Sequence, residues 1–424
     1  MSGKPTVDLI VRNALPYGET KVRDLVFSGG RYVASEVGVE AAVVVDAAGK
    51  LAIPGFVEPH IHLDKGLINE DVRVNKSGTL DEAIEIIWER KKKYTVDDIV
   101  SRAGRIIDSA VANGVTRMRS HVDVDTIGGL RPLEGVLEVR RLYADVLDLE
   151  IVAFPQEGIL KNPGAEALMR QAMKMGADVV GGMPFNEASS EGSREHIRIA
   201  FEIAREFDAD IDMHVDESDD PNARTLEMLA QATIENGWQG RVTAGHTCAL
   251  AAYPDDYADK VIGLVRDAGI NVIMNPVTNL MLQGRLDSHP KRRGITRIKE
   301  LIAAGVNVSF GQDCVKDTFY PFGRADSLEV ALIAAHAAHM SLPHEIEQVF
   351  SMPTLNAAKI MRLGDYGMSP GNAGDLVLLD ATSPTDAIVR QADRLCVVKR
   401  GRIVAETARK RTVYRSLDQR KKAG

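Results

Sequence analysis

Residues able to hold and use a metal ion recur along this sequence at the ends of apolar runs. "LAIPGFVEPHIH" (51–62) ends in His60-Ile61-His62, and "DIDMHVDE" (210–217) carries His214 and Glu217. "RVTAGHTC" (241–248) carries His246, and "VNVSFGQD" (306–313) ends on Asp313. Residues two apart on an extended chain point the same way, so His60 and His62 project together. Imidazoles with a carboxylate suit a divalent cation of the zinc or iron class and leave room for water. One histidine at a strand end is usually a structural residue; the weight lies in a set spread over four runs. Asp313 in particular needs a partner, because an unpaired buried charge is costly.

Those four runs belong to a series of eight. The others are "VTRMRSHVDV" (115–124), "EIVAFPQE" (150–157), "ADVVGGMP" (177–184) and "NVIMNP" (271–276). Amphipathic stretches such as "SREHIRIAFEIAREF" and "RIKELIAAG" lie between them, the latter ending on a C-cap glycine, Gly305. Eight strands alternating with helices or long loops predict an α/β fold of the (β/α)8 (TIM) barrel type, whose chemistry sits at the C-terminal strand ends. A doubly wound sheet is the alternative, but no G-x-G-x-x-G follows any strand. The two ends of the chain differ from the middle. "DLIVRN", "DLVFSGGRYVAS", "EAAVVVDAAGK", "AGDLVLLDA" and "CVVKRGRIVAE" read as short strands joined by turns. The expected organisation is a small composite β-sandwich from residues 1–52 and 370–424 around a barrel of residues 53–369.

The whole chain narrows the partners. Its 424 residues carry a formal net charge of -8, which argues against a polyanion, so no nucleic acid is expected. The basic runs "ERKKKY" (89–94) and "QRKKAG" (419–424) read as a solvated helix face and a frayed tail. Three dispersed cysteines make no disulfide framework. No apolar run approaches membrane-spanning length, so no membrane association and a reducing cytoplasmic location are expected, for a homo-oligomer. There is no P-loop, no G-x-S-x-G elbow, and no H-x-E with P-C-x-x-C of the cytidine deaminase fold.

"GFVEPHIHLDK", the strand-five and strand-six histidines and the strand-eight aspartate resemble the amidohydrolase superfamily. Within it, "SGTL", "HVDV", "IVAFPQEGIL", "GADVVGG", "LQGR" and "PKRRGITRIKE" are similar to the bacterial cytosine deaminases, over roughly residues 50 to 400. The resemblance implies one divalent metal, Fe2+ or Zn2+, held by His60, His62, His214 and Asp313. It also implies hydrolytic release of ammonia from a ring amidine of a nucleobase or related heterocycle. Relatives with two metals carry a carboxylated lysine after strand four, and "ADVVGGMP" has none. Glu217 takes the position of the family's proton shuttle, Asp313 that of the group moving the water proton, and His246 that of the oxyanion partner. Gln156 is implied to pair with a cyclic –NH–C(=O)– edge and Leu80 to touch the ring through its backbone, with His121 and Asp123 in support and Glu157 structural. The 290–297 loop is expected to be structural or to contact another subunit, despite its basic composition.

The sequence departs from that family beside the aspartate. A second acid and, five residues later, a tryptophan are usual there; this chain has Cys314 and Phe319. A smaller, apolar cysteine leaves space for a substituent at C5 of the ring. Cytosine or 5-methylcytosine is therefore the expected substrate, with deamination to uracil or thymine. The alternatives are another ring amidine, such as an isopropylammelide-like triazine, isoguanine or creatinine, or a non-catalytic scaffold.

Overall fold

The computed structural model describes residues 6–34 and 39–413; the basic tail at 419–424 lies outside them. Eight parallel strands pair in sequence order: β1 (Phe56–Ile61), β2 (Val115–Asp123), β3 (Asp148–Phe154) and β4 (Val179–Gly182), then β5 (Asp210–Val215), β6 (Val242–His246), β7 (Asn271–Met274) and β8 (Val308–Phe310). Each falls within or beside one of the eight apolar runs. Nearly all of their residues are buried, as expected of parallel strands covered on both faces. Helices such as Ser190–Phe207 lie between them, burying Ile197, Ile199, Ala200, Phe201 and Ile203. Gly305 lies just past the helix Ile298–Ala303 with φ 86°, the left-handed conformation that ends a helix.

The barrel closes at the residues that carry the chemistry. The Asp313 N–H donates to the His60 carbonyl at 2.8 Å, and the His62 N–H donates to the Asp313 carbonyl at 2.9 Å. Gly311 permits this approach, since a Cβ there would lie 2.6 Å from the His60 carbonyl oxygen. The three candidate ligands are thereby fixed to one another by backbone as well as by side chain.

The run from 51 to 62 is not one strand. Leu51–Ile53 turns away at Pro54-Gly55 and joins a second, eight-stranded sheet. There it lies between Thr6–Pro16, in parallel, and Leu376–Leu379, antiparallel. Both ends of the chain thus meet in one sheet with its own core, including Leu9, Phe27, Leu376 and Val398.

The expected solvated face at 89–94 is corrected by the structure. Lys91 ends the helix Leu80–Lys91 fully buried, with Asp123 and Asp125 each at 2.6 Å and Glu157 at 3.2 Å from its Nζ. Three carboxylates from the strand-two and strand-three ends draw the cation inward, where a buried charge persists only if paired. Lys92 and Lys93 are exposed, as expected. In the 290–297 loop, Arg292 pairs with Asp287 at 2.7 Å and Arg297 donates to the Tyr253 carbonyl at 2.8 Å. No helix among the described residues is long and apolar enough to cross a membrane.

Candidate active site

His60, His214, His246 and Asp313 each place a potential ligand atom within 4.8 Å of one another. His62 adds a fifth donor: its Nε2 lies 3.2 Å from His214 Nε2 and 3.3 Å from Asp313 Oδ1. The His62 Nδ1 faces the His121 carbonyl at 3.0 Å, and a carbonyl only accepts. That fixes the proton on Nδ1 and turns the Nε2 lone pair toward the cluster. Both ring nitrogens of His60, Nδ1 of His214 and Oδ2 of Asp313 are buried without a hydrogen-bond partner. Buried polar atoms are rarely left so, and acceptor atoms crowded on one another are satisfied by a shared cation. The donor set therefore fits a divalent metal ion.

The electrostatics agree with ligation. Burial pushes His62 down to about 4, helped by the Lys65 ammonium, and pushes His246 down to about 3. Burial and the surrounding imidazoles hold His214 well below its ordinary value, so these rings are neutral at pH 7, the form that binds metal. Burial works against an ionised Asp313, yet His246, His60 and His62 hold its carboxyl well below the carboxylate range. Glu217 is the opposite case: burial, then the Asp313 charge, raises it well above that range.

Glu217 Oε1 accepts from Asn279 Nδ2 at 3.3 Å and lies 3.4 Å from His246 Nδ1. Asn279 also reaches His246 Nδ1 at 3.0 Å, so a single amide orients both groups. Neither Asn279 nor Asn275, 3.2 Å from His246 Nε2, stands out in the sequence as a site residue. Their signal was the step from strand into helix at "NPVTN", which sets two amides one turn apart. His246, Asp216 and Asp313 have φ of 68°, 52° and 62°. Left-handed backbone at non-glycine residues costs about 1–3 kcal/mol each and tends to cluster at functional sites.

A small cavity opens above this cluster, bounded by His62, His214, Glu217 and Asp313 and also by Leu80, Gln156, Cys314 and Phe319. The structure thus brings all the expected substrate-contacting residues into the lining of one cavity beside the cluster. His60 and His246 do not line it. Phe154 does, stacked on the His214 ring at 4.1 Å between centroids. Cys314 is buried, and burial, then the nearby Asp313 and Asp317 carboxyls, push its thiol up. Asp317 is itself pushed up to about 7 by burial and accepts the Phe319 N–H at 2.9 Å. The loop that presents Cys314 and Phe319 is thereby tied to itself.

Two further groups support the site. His121 lies 4.0 Å from His60 between ring centroids and 3.3 Å from Asp212, which in turn accepts from Arg119 at 2.8 Å. Asp123 holds Lys65 at 2.7 Å. Lys65 lines the cavity three residues after His62, and its only signal in the sequence is an Asp-Lys pair set among apolar residues in "HLDKGLI".

The Amidohydrolase family model matches residues 79–405. N-isopropylammelide isopropyl amidohydrolase of Pseudomonas sp. (strain ADP) is 33% identical over 408 residues, covering 94% of this chain and 97% of that protein. Pterin deaminase of Rhizobium rhizogenes is 31% identical over 372 residues, covering 86% and 82% respectively. The crystal structure of 5-methylcytosine deaminase from Klebsiella pneumoniae liganded with 5-fluorocytosine superposes with a TM-score of 0.91 at 38% identity, covering 96% of this chain and 99% of that one. Barrel, metal-fitting cluster and these likenesses agree, and the chain belongs to the amidohydrolase family as an enzyme acting on cyclic amidine C–N bonds.

Proposed function

We propose that the protein is a metal-dependent hydrolytic deaminase of an oxo-aminopyrimidine, with 5-methylcytosine as its preferred base and thymine and ammonia as products. The observation that carries this reading is the composition of one small cavity. Glu217 and Asp313 form its reactive wall, Gln156 its polar wall, and Cys314 with Phe319 an apolar wall. The likeness to 5-methylcytosine deaminase over nearly the whole chain supports the same base.

His60, His62, His214 and Asp313 would hold the ion, Fe2+ or Zn2+. When bound, it supplies Lewis acidity and brings the pKa of water toward neutrality. Glu217, whose burial favours the protonated carboxyl, delivers a proton to the ring nitrogen beside the reacting carbon, which makes that carbon a better electrophile. Asp313, ionised, accepts a proton from the attacking water and passes it toward the departing amine. His246, oriented by Asn279, stands beside the oxygen that gains charge. Gln156 hydrogen-bonds the polar edge of the base. Leu80, Phe154 and Phe319 line the cavity and shield the ring from water. Cys314 offers a thiol in place of a carboxylate, so a C5 methyl group meets no charge there.

The test is product release from a panel of 5-methylcytosine, cytosine, N-isopropylammelide, isoguanine, creatinine and a pterin. Ammonia from 5-methylcytosine, with a higher kcat/KM than from cytosine, is expected. A second reading is favoured by the triazine-processing relative, which matches 94% of the chain. Release of isopropylamine from N-isopropylammelide, with no turnover of either pyrimidine, would replace the first reading by the second.

A further inference from the structure

Lys65 is a buried cation in the wall of the substrate cavity, and none of the roles above uses it. Its Nζ donates to Asp123 Oδ1 at 2.7 Å and also to Gln156 Oε1. An ammonium has no acceptor, so the Gln156 oxygen must face Lys65 and its amide nitrogen must face away. That nitrogen, Nε2, is buried and has no hydrogen-bond partner. The Gln156 backbone is fastened as well, since its carbonyl accepts from Asn186 Nδ2 at 2.7 Å. The ammonium itself lies 5.3 Å from the Phe154 ring centroid and 5.8 Å from that of Phe319, two rings that also line the cavity.

Gln156 alone offers a wall that can donate or accept, because a free amide can turn over. Locked by Lys65, it turns its donor outward, and the cation adds positive potential to the same wall. We infer that Lys65 is a positioning residue that commits this wall to an oxo oxygen or its enolate form, and thereby selects oxo-substituted amino-heterocycles over analogues lacking the oxygen. This deepens the proposed function by naming the feature of the base that is read. It rests on that reading only for the choice of ring. Asp123 divides its two oxygens between Lys65 and Lys91, so it only partly neutralises the ammonium.

The experiment compares Lys65→Met and Lys65→Arg with the parent on a matched pair, cytosine and 4-aminopyrimidine, which differ by the oxo group and the ring N1–H that goes with it. Metal content is measured on each protein. The parent is expected to favour cytosine by roughly 100-fold or more in kcat/KM, since a site built to bond an oxygen leaves polar groups unpaired when it is missing. Lys65→Met should cut that ratio about tenfold or more, chiefly through KM for cytosine, with metal content unchanged. Lys65→Arg should restore part of the ratio. Equal losses on both compounds, or an unchanged ratio, would overturn the inference and leave Lys65 a packing residue. If the parent turns over neither pyrimidine but does hydrolyse a triazine, the proposed base is wrong. The matched pair is then N-isopropylammelide and its des-oxo analogue, with the same two outcomes deciding the role of Lys65. If the methionine variant does not fold, the arginine variant decides: it keeps the charge but cannot hold the same single-point contact, so a ratio identical to the parent's would overturn the inference.

Discussion

Glu217 and Asp313 are two acids in one buried cavity whose environments drive their protonation apart, the arrangement that separates an acid from a base. Glu217→Gln keeps shape and hydrogen bonding to Asn279 but removes the transferable proton. Its kcat should fall by about 100-fold or more, the scale of lost general acid catalysis. Metal content, measured by elemental analysis, should hold; loss of metal with recovery on adding it back would make Glu217 a ligand instead. Cys314 sits beside the aspartate without carrying charge. A methyl group buried in an apolar niche gains about 1 kcal/mol, whereas one pressed against a carboxylate loses that and desolvates the charge. Cys314→Asp should therefore lower kcat/KM for 5-methylcytosine about tenfold more than for cytosine, read from steady-state rates on both bases. Equal loss on the two would assign Cys314 to support of Asp313 alone.

At the scale of elements, buried ion pairs tie helices to strand ends. Lys91 closes the helix Leu80–Lys91 on Asp123, Asp125 and Glu157, and Glu157 directly follows Gln156. Lys91→Met takes their cation from Asp125 and Glu157 and leaves Asp123 with Lys65 alone. Breaking a buried pair costs about 3–5 kcal/mol, so denaturant unfolding should show a loss of that order; a change below 1 kcal/mol would mean that the acids simply take up protons. The helix Pro343–Ser351 shows the reverse situation at its start. Glu345 accepts the backbone N–H groups of Ser341 at 2.7 Å and Leu342 at 2.9 Å, with Lys299 at 2.8 Å. The Leu342 N–H, then Lys299, pull its carboxyl down to about 2 from the usual 4.5. A depressed folded value adds stability above pH 4.5 that disappears as pH falls toward 2. Glu345→Gln should thus lower Tm at pH 7, and the difference from the parent should shrink through that window. A difference that stays constant down to pH 2 would show that the carboxylate charge is not what holds the cap.

At the scale of the molecule, the cluster joins strand ends that are far apart in sequence and closes the barrel at Asp313. Any ion bound there stabilises the folded state by mass action, about 4 kcal/mol at a thousandfold excess over Kd. Chelation should abolish turnover and lower Tm by several degrees, and readdition of Fe2+ or Zn2+ should restore both; unchanged Tm and activity after verified metal removal would contradict a bound ion at this site. The sequence alone carried the barrel, because parallel strands buried on both faces must be short continuous apolar runs, and eight of them are countable. It carried His60, His62, His214, His246, Glu217 and Asp313 for a related reason, since polar residues at the ends of such runs stand out against their neighbours. The expected boundary at residue 52 cuts through Leu51–Ile53, but the end of that strand and the start of the barrel strand at Phe56 are not legible, because an apolar triplet reads alike in either sheet. The burial of Lys91, the locking of Gln156 by Lys65 and the pairing of Asn279 with Glu217 were decided only by the tertiary structure. Each depends on partners 62 to 91 residues away or on three acids converging from two strand ends. Local sequence sets which face of a strand or helix a residue occupies; it holds no record of which distant charge or amide the closed barrel will bring against it.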